Sequence, residues 1–129
     1  MKTLHSIFFI SCLLLIISCG TQQHETTQDE EQEALITQYQ EITEMAKSES
    51  CEDAANWKFT PIGAKACGGP TGFIAYSKKI NEDDFLKKVA TYTNNQKTYN
   101  KKWGIVSDCM AIKPPQDVSC TNGSAELVF

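Results

Sequence analysis

Cysteine is the residue type in this chain best equipped for chemistry, and six are present: Cys12, Cys19, Cys51, Cys67, Cys109 and Cys120. The last four are separated by 15, 41 and 10 residues. A zinc site wants paired short spacings such as C-x2-C, so no metal ligand is assigned. A redox C-x-x-C is also missing, and Lys65 is the one cation close to Cys67 along the chain. If the chain is exported, four such cysteines read as two disulfides, with three pairings open. The combination Cys67–Cys109 with Cys51–Cys120 is preferred. It ties the segment before the second helix to the segment after it, and its longer loops each stabilise by roughly 3–5 kcal/mol in the chain-entropy account.

The remaining reactive groups argue against catalysis. Both histidines, His5 and His24, precede the region expected to fold, which removes Ser/His and Cys/His pairs from the body. All twelve cations are Lys, so bidentate recognition of phosphate or carboxylate by Arg is lost. A hydrolase built on Ser77 or Ser107 with Asp108 and a Lys base has no supporting spacing. Glu82, Asp83 and Asp84 are adjacent, whereas an acid–base pair needs separation and contrasting environments; they suit the first turn of a helix. No catalytic residue and no cofactor is expected. An acidic chain without Arg (pI about 5.1) is also a poor nucleic-acid binder.

The N-terminus carries the most specific chemistry. Lys2 gives a positive start and Ile7 to Ile17 an apolar run, too short for the roughly 20 residues of a membrane-spanning helix. It ends at Ile16-Ile17-Ser18-Cys19, then turns polar. Aliphatic, tolerant, small, Cys: this resembles the lipobox of bacterial lipoproteins. The resemblance implies cleavage after residue 18, diacylglycerol on the Cys19 sulfur and acylation of the new amine. Several acyl chains hold a protein stably, at about 0.8 kcal/mol per buried CH₂. Gly20 in place of Asp after the Cys implies, by the same resemblance, the outer membrane. A free secreted protein cut near Gly20 is the alternative.

The expected organisation is a signal peptide over 1–18, a lipidated Cys and flexible tether over 19–28, and a single domain over 29–129. Leu35, Tyr39, Ile42 and Ala46 recur at helical spacing in a helix from about Asp29 to Lys47. Asp29, Glu30, Glu31 and Glu33 complement its dipole as a solvated start. Trp57–Ile62 alternates as a strand, with Pro61 marking an edge. Residues 63–72 are a Gly-rich loop, and Phe73–Tyr76 is a short buried strand. Asn81 caps a second helix whose stripe is Phe85, Val89, Tyr92, Gln96, Tyr99 and Trp103. Gln96 interrupts that stripe and should find a hydrogen bond. Gly104 closes the helix. Ile105–Ile112 reads as a strand broken by Pro114-Pro115, and residues 118–129 as a hairpin on Asn122-Gly123. The fold class is α+β: two amphipathic helices on a mainly antiparallel sheet of about four to five short strands.

Residues 20–53 hold ten acids and one Lys, and residues 54–129 six acids and ten Lys. The helices should therefore lie side by side on one sheet face, with opposite charges along their rims. At Ala66-Cys67-Gly68-Gly69-Pro70, Tyr76-Ser77 and Ser107-Asp108-Cys109, the body resembles a group of small exported bacterial proteins without an assigned activity. That group's pattern has a further Cys pair, near Trp57 and Ala125, which this chain lacks. The resemblance covers roughly residues 51–129, implies a compact disulfide-tied domain and transfers no catalytic residue. The expected function is non-enzymatic: a binding or structural protein held to the membrane through Cys19, with Gly68, Gly69 and Pro70 as a partner-binding loop. The rival is a protease inhibitor presenting residues 62–71.

Overall fold

The computed structural model of the protein describes residues 26–129. The expected signal peptide, Cys19 and most of the tether lie outside the described residues.

Helix α1 (Gln28–Ala46) begins at a capping box. The Thr27 hydroxyl accepts from the Glu30 amide at 3.3 Å, and the Thr27 amide donates to the Glu30 carboxylate at 2.8 Å. The helix thus starts one residue inside the stretch expected to be tether. It buries Leu35, Ile42 and Ala46, while Tyr39 stays 45% exposed. After a short 3₁₀ turn (Ala54–Asn56) come strands β1 (Trp57–Ile62) and β2 (Gly72–Ser77). They pair antiparallel, with Trp57 opposite Ser77 and Ile62 opposite Gly72.

Side chains alternate across a strand, and here both faces are covered. Ile62, Ile74 and Tyr76 pack against the helices, while Trp57, Phe59 and Ala75 face a second hairpin. Helix α2 (Glu82–Lys102) is capped by Asn81, whose side chain accepts from the Asp84 amide at 3.2 Å. Gly104, at φ +59°, follows its end. Phe85, fully buried, and Val89 and Tyr92 meet Leu35 and Ile42 of α1 over the first hairpin. The two helices therefore share one face, as the charge pattern predicts. Glu31 pairs with Lys102 at 2.6 Å and Glu41 with Lys88 at 3.8 Å.

Strands β3 (Asp117–Thr121) and β4 (Ser124–Val128) form that second hairpin on an Asn122-Gly123 turn, at φ 51° and 79°. The molecule is thus three layers deep: two helices, the β1–β2 hairpin, and the β3–β4 hairpin. A disulfide joins Cys51 to Cys120, with Cα atoms 5.3 Å apart, and the Cys51 amide donates to the Gly123 carbonyl at 2.8 Å. Half of the preferred pairing is present.

Two expectations need correction. The four strands form two separate hairpins rather than one sheet, and residues 105–112 are not a strand. Two of their apolar members find no partner, Val106 at 91% and Met110 at 74% exposed, while Ile105 and Ile112 are half-buried. The Met110 carbonyl, which a ladder would use, instead accepts from Lys65 Nζ at 2.8 Å. The segment runs as a strap from the end of α2 to buried Pro115.

Candidate functional site

The loop 63–71 is held on α2 by three side chains. Gly63 donates its amide to Thr93 Oγ1 at 3.1 Å, and Ala64 donates to Gln96 Oε1 at 2.7 Å. Asn100 Nδ2 donates to the Ala64 carbonyl at 2.8 Å. The Gln96 interruption thus has its expected partner. Asn100 escaped the sequence reading, although a spacing of four from Gln96 places both amides on one helix face.

Beyond these anchors the chain curls on itself. Lys65 donates its amide to the Gly69 carbonyl at 2.9 Å, and Gly68 donates to the Lys65 carbonyl at 3.0 Å. Gly68 and Gly69 take φ of +101° and +81°, which glycine adopts without steric penalty. The result is a compact exposed knob with Gly68 and Gly69 at its tip and Pro70 half-buried. A substrate-like inhibitor loop would hold its backbone extended and open to a protease; this turn uses its carbonyls internally.

One side of the knob meets the strap. The Ala66 amide donates to Ser107 Oγ at 3.1 Å, and Lys65 Nζ bonds Asp108 Oδ1 at 2.5 Å. That contact holds the Asp108 carboxyl below the usual carboxylate range. The Cys67 sulfur lies 3.5 Å from Ser107 Oγ and 3.2 Å from the Asp108 carbonyl oxygen. The expected Cys67–Cys109 bridge is not formed; both residues are exposed thiols. Cys109 directly follows Asp108, so the two thiols belong to the same contact between knob and strap. The bonds from Cys109 and then Ser107 lower the Cys67 thiol, while the same Cys67 contact raises the Cys109 thiol.

The other side of the knob lines a hollow of about 530 Å³ together with Lys97, Lys101 and Ile105. Lys97 and Lys101 project from α2 and are exposed. Of the hydrolase candidates, Ser107 and Asp108 meet Lys65 at the contact between knob and strap, with Lys65 paired to Asp108 while Ser107 Oγ accepts from the Ala66 amide. Ser77 is buried at the end of β2, its Oγ accepting from the Lys79 amide at 3.1 Å, while Ser107 and Asp108 sit on the strap. Glu82 pairs with Lys58 at 2.7 Å and accepts from the Tyr76 hydroxyl at 2.9 Å, a fastening rather than an acid–base pair. Among the described residues no cluster of His, Cys, Asp and Glu is suited to hold a metal, and no helix is long and apolar enough to cross a membrane.

No family model, no curated protein and no solved structure matches this chain.

Proposed function

We propose that the chain is a lipid-anchored envelope protein, held to the outer membrane through Cys19, that binds a partner without catalysis. The anchor rests on one observation, the sequence Ile16-Ile17-Ser18-Cys19 at the end of an apolar run. The binding surface is the knob: Gly68 and Gly69 at its tip with half-buried Pro70 behind them, beside a hollow edged by Lys97 and Lys101. Two ammonium groups next to a rigid turn suit an acidic segment of a protein or an anionic envelope polymer, and electrostatic complementarity of this kind acts chiefly on encounter and orientation.

Metabolic labelling with an alkyne analogue of palmitate tests the anchor. The wild type should carry label and stay with membranes, and Cys19→Ala should lose both; label retained in that variant would sink the anchor. In-cell cross-linking from the knob tests the surface. The double variant Lys97→Glu/Lys101→Glu should lose the cross-linked species, and an unchanged pattern would remove the knob from the reading.

A further inference from the structure

The strap is fastened in an unusual way. Its start and end are secured, by the Ile105 amide on the Asn100 carbonyl at 3.0 Å and by the Gln116 amide on the Val128 carbonyl at 2.7 Å. Between those posts its described side-chain hydrogen bonds and ion pair go to the knob: Asp108 and the Met110 carbonyl to Lys65, and Ser107 to Ala66. All are exposed polar contacts, which individually contribute little to stability. Val106 and Met110 of this span are exposed to solvent, and Ile112 is half-buried. Where the knob and strap meet, the Cys67 thiol bonds the carbonyl of Asp108 at 3.2 Å, and Cys109 is the next residue of the strap.

We propose that Cys67 and Cys109 form a reversible dithiol–disulfide latch, reactive toward disulfides from outside the molecule, whose closure fixes the strap to the knob. Cys67 is the attacking sulfur. Ionised, it accepts from the Ser107 hydroxyl at 3.5 Å, and Cys109 and the Lys65 ammonium hold its thiol below the ordinary value; a thiolate in such surroundings is the reactive form of cysteine. The oxidant is a protein or small-molecule disulfide, R–S–S–R. The Cys67 thiolate attacks one of its sulfurs, the S–S bond breaks, and one R–S⁻ leaves and takes up a proton. Cys109, after losing its proton, attacks the Cys67 sulfur of the mixed disulfide and expels the second R–S⁻. Two thiols of this chain have then been oxidised to one disulfide, and one external disulfide has been reduced to two thiols. The reverse exchange opens the latch.

Access separates this pair from the other. Cys51 is 2% exposed beneath the second hairpin, so its bond to Cys120 is shielded from an incoming thiolate, whereas Cys67 and Cys109 lie in the open. Exchange rates depend on such access and on thiolate character. The chain thus carries one permanent bridge and one responsive bridge.

The experiment is differential alkylation and peptide mass spectrometry on the purified full chain, equilibrated across glutathione redox buffers. Cys67 and Cys109 should lose and regain alkylation together, as a two-electron couple with an intramolecular link, while Cys51 and Cys120 remain unalkylated. Independent titration of Cys67 and Cys109, or opening of both bridges at one buffer composition, overturns the proposal. Single variants assign the roles. With oxidised glutathione, Cys67 in the Cys109→Ser chain should form its mixed disulfide faster than Cys109 in the Cys67→Ser chain, because rate follows thiolate fraction and access. Equal or reversed rates overturn the assignment of Cys67 as attacker. Hydrogen exchange supplies the conformational readout: amides of residues 106–111 should exchange more slowly in the closed form, and identical rates would show that the bond fixes nothing.

Discussion

At Gly63 a single methyl group would disrupt the loop. The residue sits at φ +76°, and a Cβ would collide with Thr71 Oγ1 and crowd Gln96 Oε1. Gly63→Ala should therefore destabilise by more than about 1 kcal/mol, read as a lower urea midpoint at unchanged slope. Its neighbour in this network, Gln96, supports a sharper comparison. Gln96→Leu leaves the buried Ala64 amide without an acceptor and should cost about 1–3 kcal/mol, whereas Gln96→Glu keeps an oxygen in place and should cost less. Equal losses in the two variants would show that the amide finds another partner. Gln96 was legible in the sequence because a polar residue broke an apolar stripe. Gly63 was not, because nothing along the chain separates a glycine obliged to hold a positive φ from the others in that loop. The Lys65–Asp108 pair is equally opaque from sequence, since its partners lie 43 residues apart and meet only through tertiary folding.

Among the elements, the helices and hairpins were written in local signals. Asn81 as a cap, Gly104 as a stop and Asn-Gly as a hairpin turn each act within a few residues, and the structure places all three where those signals lie. Ile105–Ile112 shows the limit of such reading. Its apolar residues suit a strand, but a strand exists only where another edge accepts it, and no local pattern reveals an edge. The pairing of Cys51 with Cys120 was a preference from loop length, and the bridge is seen. It spans 69 residues, so the double variant Cys51→Ser/Cys120→Ser should lose roughly 4 kcal/mol in the chain-entropy account. Urea denaturation of the oxidised protein and the variant checks this. The shape of the knob gives a prediction of its own: because Lys65 and Gly69 use their carbonyls within the turn, micromolar protein should leave secreted serine and cysteine proteases uninhibited. Tight inhibition in such a panel would require the turn to open.

At the scale of the whole molecule, three ionised carboxylates fasten separate elements. Glu31 receives Lys102 at 2.6 Å, Thr26 at 2.6 Å and the Trp103 indole at 2.9 Å, tying the start of α1 to the end of α2. Glu82 ties α2 to both strands of the first hairpin through Lys58 and Tyr76, and Asp108 ties the strap to the knob. All three have folded-state pKa values lowered by these partners, Glu31 from 4.5 to about 2. A lowered folded pKa means the unfolded chain binds the proton first, so the stabilisation is present above the unfolded values and fades as pH falls through the folded ones. Urea midpoints should be level from pH 7 to about 5 and decline towards pH 2. A Glu31→Gln chain should show a shallower decline, because one titrating fastener is gone. Tyr76 acts at the other extreme. Burial and then Glu82 push its hydroxyl up to about 12, so its contribution is complete below 10 and lost between 10 and 12.

The Cys51–Cys120 bond closes the chain into a covalent ring, and the strap lies on its circumference. A ring cut once remains one piece. Cleavage of the strap at Met110 would leave the second hairpin attached to the body through Cys120, and the three layers would keep their contacts. Such a nick would be visible only as two bands on a reducing gel and one band without reductant. The same topology makes the strap the place where the polypeptide could accept inserted sequence, a tag or a reporter loop, with the least disturbance to the rest.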